Sequence, residues 1–136
     1  MPRIDELPRH LQNKLETSRH CLHGSVGFLL LTQGYVALVD ASALPILARW
    51  AWYAHASNLY KPGRPNATPK IYAARTKYVS GKSERVYLHR FLTGAEKGTV
   101  VRHRNEYSLD YRLENLLVGT HLQNMAEREG IEVVTW

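Results

Sequence analysis

The first part of the chain carries apolar positions at helical spacing. Leu7, Leu11 and Leu15 lie four residues apart in IDELPRHLQNKLETSRH, the segment 4–20. This spacing stacks the three side chains on one face of a helix. We therefore predict a helix over this segment that packs through its leucine face.

The pattern changes to a period of two in GFLLLTQGYVALVD, residues 27–40. The alternation predicts two short strands around a turn at Gln33-Gly34. The next segment, ASALPILARW (41–50), predicts a short helical run, in which Pro45 fits only near the first turn. A hairpin followed by a short helix is the expected arrangement.

A second set of strand patterns follows. WAWYAHAS (50–57) predicts a strand, and the prolines and glycine of NLYKPGRPNATP (58–69) predict a loop. KIYAARTKY (70–78) and ERVYLHR (84–90) then predict an antiparallel hairpin around VSGKS (79–83). FLTGAEKGT, which comes next, is expected to be a short apolar turn.

Residues 100–124 read VVRHRNEYSLDYRLENLLVGTHLQN and predict the order strand, loop, strand, helix. The first strand ends near 100–101, and LLV at 116–118 returns as the second. Thr120 and Gln123 have the spacing of a capping box, which predicts that the helix begins at Thr120. Together with the earlier segments, this order predicts an α+β fold.

Composition limits the class of protein. The chain has 136 residues, 44% of them hydrophobic and 22% charged, which fits one folded domain. The opening MPRIDELPRH lacks a signal-peptide pattern and no apolar run approaches about 20 residues, so we expect a cytoplasmic protein without membrane contact. The single cysteine, Cys21, excludes an internal disulfide and a thiolate zinc cluster within one chain.

The net charge of +6 is unevenly distributed. Residues 1–80 carry ten basic and four acidic side chains, whereas 81–136 carry eight of each. No acidic residue lies between Asp40 and Glu84, and aromatic side chains are interleaved with the basic ones there. This pattern favours nucleic acid as a partner over a basic surface kept for solubility.

Arg75 and Lys77 fall on one face of the predicted strand 70–78, and Lys70 is the first residue of that strand. A two-stranded ribbon that presents basic side chains fits the major groove of double-stranded DNA. The same residues on an edge strand also protect against aggregation, and both interpretations stay open.

The segment 100–124 resembles the core of the His-Asn-His (HNH) endonucleases, in particular the phage-type homing endonucleases. His103 matches the first histidine, Asn115 the central asparagine, and Asn124 the last position, where the motif allows His or Asn. LTQGYVALVD, WAWYAH, IYAAR and VYLHRFLTG are similar to the DNA-binding sheet, of the ethylene-response-factor type, that precedes this core in many relatives. The similarity runs from about Gly27 to Arg128.

The resemblance implies a ββα-metal (His-Me finger) nuclease core after an N-terminal helix and a small antiparallel sheet. It divides the chain into an N-terminal helical segment (1–24), a basic sheet region that binds DNA (25–95), the nuclease core (96–130) and a C-terminal tail (131–136). The expected activity is hydrolysis of phosphodiester bonds in double-stranded DNA. Because one such site cuts one strand, a double cut requires pairing as a homodimer or rebinding.

The resemblance also assigns roles. His103, with an ordinary pKa of about 6.5, would accept a proton from water, and Asn115 would hydrogen-bond the backbone across the loop and orient His103. The side-chain oxygen of Asn124 would bind one divalent ion, Mg²⁺ or alternatively Mn²⁺. Apart from the resemblance, Arg104 and Arg112 lie on either side of this loop and are placed to bind phosphates, although Arg112 is equally placed to pair with Asp110 or Glu114.

Arg102 departs from the commonest pattern, in which Asp precedes the first histidine and binds the metal. A guanidinium has only donors and cannot bind a cation. Three interpretations are open: Arg102 binds phosphate while His121 or a water completes the metal shell; the metal has been lost and the chain only binds DNA or a partner; or Arg-His is a functional variant of the motif.

Several other residues have a structural interpretation. His89 lies at a position where the resemblance places a histidine, but we expect it to be a satisfied core or hinge residue at the end of an apolar strand rather than a ligand or catalytic residue. We expect His10, His20 and His23 to lie at fraying helix ends. We expect Trp50, Trp52 and Tyr53 in the core.

Overall fold

The computed structural model describes residues 3–56, 70–96 and 99–119 and shows a mixed α+β fold of small antiparallel sheets and short helices. The predicted α+β class is confirmed. The α-helices of the described residues are α1 (Arg9–Ser18), α2 (Leu44–Leu47) and α3 (Leu88–Thr93). The strands are β1 (His20–His23), β2 (Val26–Leu30), β3 (Val36–Asp40), β4 (Tyr53–Ala56), β5 (Ile71–Val79), β6 (Lys82–Tyr87), β7 (Val100–His103) and β8 (Leu116–Gly119).

The first sheet has the order β1-β2-β3 and packs against α1. The predicted helix starts later than 4–20 because Pro8 disfavours helical geometry at Leu7, which is extended. It ends at Ser18, since Arg19 adopts a left-handed conformation with φ of 66°. Leu11 and Leu15 are buried as predicted.

The prediction for His20 and His23 is wrong. Both belong to β1, where His20 pairs with Leu29 and His23 with Val26. The sequence did not predict this strand, because only Cys21 of its four residues is buried and the segment lacks a clear alternating pattern. The predicted hairpin of β2 and β3 is confirmed, and Gln33 and Gly34 both have positive φ in its turn.

The second sheet has the order β4-β5-β6, and its predicted hairpin is confirmed. Ser80 and Gly81 both have positive φ in its two-residue turn, as a tight hairpin requires. The strand predicted to reach Arg90 instead ends at Tyr87, and the expected apolar turn after it begins within α3. Leu88 is fully buried there, and Phe91 packs edge-on against Trp50.

The third sheet pairs β7 with β8, from Val100 opposite Gly119 to His103 opposite Leu116. One hydrophobic core joins the three sheets, because Val39, Ala73 and Leu116 belong to the same buried cluster. Trp52 lies in this cluster as predicted, and its indole N–H donates to the Leu47 carbonyl at 2.9 Å. Trp50 packs against the cluster, whereas Tyr53 is half-buried on the opposite face of its sheet.

Tyr111 connects the loop after β7 to the second sheet. Its buried hydroxyl accepts a hydrogen bond of 2.7 Å from the backbone N–H of Ala73. Ala73 pairs with Ala54 of β4, but on its other side the paired part of β6 ends at Tyr87, opposite Ala74. The Tyr111 hydroxyl therefore takes the place of a β6 partner for Ala73.

We expect Tyr111→Phe to lower the free energy of unfolding by about 1–3 kcal/mol, because a buried N–H would lose its acceptor. Chemical denaturation measures the change. Tyr78→Phe is the matched control, since Tyr78 is largely exposed and its hydroxyl has access to water. Equal stability of the two variants would contradict a role for the Tyr111 hydroxyl in joining the sheets.

Among the described residues, no helix is both long and apolar enough to cross a membrane. The predicted helix beginning at Thr120, with His121 and Asn124, lies outside the described residues, as does the predicted loop 58–69.

Candidate active site

His103 is the last residue of β7 and is only 7% exposed. Its Nδ1 lies 2.9 Å from the carbonyl oxygen of Asp110. A carbonyl can only accept, so Nδ1 carries the proton and the neutral ring presents its lone pair at Nε2. Nε2 is buried, and no residue in the described part of the chain hydrogen-bonds to it. The imidazole is therefore held in the tautomer that a general base requires at Nε2.

Asn115 holds the loop that carries this carbonyl. Its Oδ1 accepts a hydrogen bond from the backbone N–H of Asn105 at 2.9 Å. Its Nδ2 donates to Asn105 Oδ1 at 2.9 Å and to the Asp110 carbonyl at 3.0 Å. The same Asp110 carbonyl thus accepts from both Asn115 and His103, so the asparagine side chain fixes the group that orients the histidine.

The side chain of Asp110 forms the buried centre of this loop. Arg112 donates three hydrogen bonds to it: Nε to Oδ1 at 2.9 Å, Nη2 to Oδ2 at 2.6 Å and the backbone N–H to Oδ1 at 3.2 Å. Asn105 Nδ2 donates to Oδ2 at 3.1 Å. Burial alone raises the pKa of Asp110, but these donors outweigh it and hold the pKa below its ordinary value. Arg112 is engaged by Asp110, with Glu114 at 3.3 Å, as one of its two predicted roles requires.

The loop is also attached to the first sheet. Leu38 of β3 donates its backbone N–H to Leu109 at 2.8 Å and accepts from Tyr111 at 2.7 Å. Asp40 accepts a further bond from the Leu113 N–H at 2.9 Å. Because Leu109 and Tyr111 are fully buried on either side of Asp110, the position of its carbonyl is set by the core.

A pocket of about 180 Å³ lies beside His103. Its walls include Lys70, Tyr72, Arg102, His103, Glu106 and Ser108. Two of the predicted DNA-binding residues, Lys70 and Arg102, therefore meet at the predicted catalytic histidine. Arg104 is exposed outside this pocket, with its Nε 3.4 Å from the Glu114 carbonyl. Two cationic side chains beside one carboxylate favour an anion such as a phosphodiester.

Aromatic rings surround the imidazole of His103. Ring centroids lie 5.1 Å from Tyr111, 6.2 Å from Tyr72 and 6.2 Å from His89. Burial lowers the pKa of His103, although the Asp110 carbonyl opposes this effect. Burial, with the nearby His103 and Arg90, lowers the pKa of His89 to about 4. Both histidines are therefore neutral near pH 7.

Sequence reasoning missed the position of His89. It lies in the first turn of α3, stacked on Tyr87 and edge-on to His103, and its Nδ1 is buried without a hydrogen-bond partner among the described residues. The apolar spacing of Leu88, Phe91 and Leu92 is the signal that identifies α3 as a helix. No local signal indicates that α3 packs next to β7.

Arg75 and Lys77 share a face of β5 as predicted, and this is the face that packs on the core. The Arg75 guanidinium lies over the Trp50 ring, 4.2 Å from its centroid. Ala73, on the same face, is fully buried, while Lys77 extends beyond the core and is exposed. The opposite face of β5 carries Tyr72 and leads to His103.

The predicted metal ligands Asn124 and His121 are outside the described residues. Within 3–56, 70–96 and 99–119, no group of three or more His, Cys, Asp or Glu side chains is arranged to hold a metal ion. The pocket offers one carboxylate, that of Glu106, beside His103. Carboxylate and amide oxygens are donors that suit Mg²⁺ or Mn²⁺ rather than a thiolate-bound metal.

Comparisons of the chain with protein-family models, with curated proteins and with solved structures found no match.

Proposed function

We propose that this protein is a metal-dependent DNA endonuclease of the HNH type, in which β7, β8 and the segment after Gly119 form a ββα-metal core. The observation that carries the proposal is the state of His103. Its Nδ1 is committed to the Asp110 carbonyl, and Nε2 lies without a partner among the described residues beside a cationic pocket.

In the proposed reaction, His103 Nε2 accepts a proton from the water that attacks phosphorus. The bond from phosphorus to one ester oxygen then breaks, and the leaving oxygen takes up a proton from solvent water. The Asp110 carbonyl stabilises the imidazolium that forms, because it already accepts from Nδ1. Lys70 and Arg102 offset the negative charge of the phosphodiester. In this assignment Arg102 binds the substrate phosphate, whereas the Asp that is usual at its position would bind the metal ion.

A divalent ion, Mg²⁺ or Mn²⁺, would be held by Asn124, with His121 or water, and would supply Lewis-acid stabilisation of the phosphate. Glu106 is a further oxygen donor in the described pocket.

Plasmid cleavage tests the proposal. Purified protein is incubated with supercoiled plasmid in Mg²⁺, in Mn²⁺ and in chelator without metal. We expect conversion to nicked circles with either metal and none with chelator, and at least about 100-fold slower conversion by a His103→Ala protein purified in parallel. Cleavage that persists in chelator, or at the wild-type rate in the His103→Ala sample, would show a contaminating or unrelated nuclease.

A second candidate function is a DNA-binding or partner-binding protein built on an inactive nuclease site. Arg102 favours it, because a cation stands where the resemblance places a metal-binding Asp. Two like unit charges 4 Å apart repel by about 4 kcal/mol even at an effective dielectric of 20, so a guanidinium at this position would disfavour a bound cation. DNA binding that falls steeply with salt, without cleavage in any metal, would support this alternative and exclude the enzyme.

A further inference from the structure

The face of the second sheet that points away from the core is rich in tyrosine. Directly paired residues share a face, so the register assigns nine described residues to it, and the alternation along β5 adds Lys70, which comes just before the strand. We call this set the tyrosine face: Tyr53 and His55 of β4; Tyr72, Ala74, Thr76 and Tyr78 of β5, with Lys70 just before it; and Ser83, Arg85 and Tyr87 of β6.

Several side chains of the tyrosine face, around Tyr53 and Tyr87, contact one another. Arg85 Nε donates to the Tyr53 hydroxyl at 3.2 Å. The Tyr87 ring lies 5.8 Å from His55 and 6.5 Å from Tyr72, measured between centroids. Ala74 is fully buried although it faces away from the core, because Tyr53 and Tyr87 flank it in register. This part of the face is thus a packed aromatic layer, and Tyr78 lies beyond it, largely exposed.

The charge of the tyrosine face is one-sided. Its described members include Lys70 and Arg85 and contain no Asp or Glu. The paired acid Glu84 lies on the other face, opposite Lys77. An aromatic layer with positive charge and no carboxylate complements a nucleic acid, whose bases stack and whose phosphates are anionic.

The layer leads to the candidate active site. At one end the Tyr72 ring is 6.2 Å from His103, and both residues line the same pocket. At the other end Tyr78 is 78% exposed near the hairpin turn. Tyr78 is six positions along β5 from Tyr72, a distance of about 20 Å. That length accommodates several nucleotides of an extended strand.

We propose that a single-stranded segment of nucleic acid lies along the tyrosine face, with unpaired bases stacked on its tyrosines and its backbone directed toward His103. Cleavage of that strand rests on the proposed nuclease function; the binding itself does not. A duplex fits less well, because base pairs hide their faces in the helical stack and leave only their edges in the grooves. Arg75, the residue that would favour a groove, is packed against Trp50 on the opposite face.

Fluorescence anisotropy tests this proposal in chelator, where binding is measured without cleavage. The probes are a labelled oligothymidylate of fifteen nucleotides and a labelled DNA duplex of fifteen base pairs, measured at the same salt concentration. We expect the single strand to bind more tightly. Tyr78→Ala should weaken its binding about 5- to 150-fold, and Tyr78→Phe should retain it, since stacking needs the ring and not the hydroxyl.

Val79→Ala is the matched control, because Val79 is the next residue, is exposed and lies on the opposite face. We expect this variant to bind like the wild type. Tighter binding of the duplex, an unchanged affinity in Tyr78→Ala, or no binding of either probe would each overturn the proposal. Binding of the single strand without metal-dependent cleavage would leave it standing and refute the nuclease function alone.

Discussion

The His103→Ala substitution is expected to lower the rate of metal-dependent plasmid nicking by about 10²- to 10⁴-fold, the usual contribution of a positioned general base. The structure gives a specific reason: Nδ1 is fixed to the Asp110 carbonyl, so the lone pair is available only at Nε2. The rate is measured under single-turnover conditions as conversion of supercoiled to nicked plasmid. A variant that nicks at the wild-type rate would exclude His103 as the base.

A loss of activity must be separated from a loss of fold, because His103 is buried. His23→Ala is the control histidine variant, since His23 lies on β1, where its ring neighbours are His10 and Phe28. We expect it to nick normally. Thermal unfolding of both variants shows whether His103→Ala is still folded at the assay temperature.

The pH dependence gives a second readout of His103. Burial lowers its pKa below the ordinary value of 6.5, so the neutral, basic form persists to lower pH than for an exposed histidine. The acid limb of the single-turnover rate should therefore have its midpoint below pH 6.5, with little change between pH 7 and 8. A midpoint above 6.5 would mean that another group, or an ionised partner of His103, controls the rate.

Local periodicity predicted much of the fold, and its failures have physical causes. Leu11 and Leu15, the turn at Gln33-Gly34 and the β5–β6 hairpin could be predicted because each involves neighbours in sequence. Strand β1 was missed because it exposes most of its side chains and is defined by pairing with β2. Helix α3 was missed because its six residues follow a strand without a polar break.

In the candidate site, too, the residues near one another in sequence could be predicted, and those brought together by tertiary packing could not. His103 and Asn115 could be selected from the motif, and their shared acceptor lies between them in the sequence, at Asp110. Tyr72 and His89 could not, because they reach His103 only through the packing of the second sheet and α3 on β7. The face of β5 that meets the core also depends on tertiary packing, so Arg75 could be placed on a face but not against Trp50.

Asn115→Ala is expected to reduce both stability and activity. Asn115 is 5% exposed, and its side chain makes three hydrogen bonds, two with Asn105 and one with the Asp110 carbonyl. Removing it leaves the Asn105 N–H without its acceptor, at a cost of about 0.5–1.5 kcal/mol, because Asn105 is an exposed residue and water can replace the acceptor. The Asp110 carbonyl also loses one of the donors that position it. We expect nicking to fall by about 10²-fold, as small misplacements of catalytic groups often cause.

Asn115→Asp separates the acceptor role of the Asn115 side chain from its donor role. The carboxylate still accepts from the Asn105 N–H, but it replaces the Nδ2 donor with an oxygen that faces the Asp110 carbonyl and Asn105 Oδ1. Repulsion between these oxygens should displace the carbonyl that orients His103, so we expect Asn115→Asp to be at least as inactive as Asn115→Ala. Glu114→Gln is the neighbouring control, because the Glu114 side chain is 74% exposed. If Asn115→Asp retains both its unfolding midpoint and its nicking rate, the donors of Asn115 do not hold the Asp110 carbonyl, and the orientation of His103 must come from the buried backbone of Leu109 and Tyr111 alone.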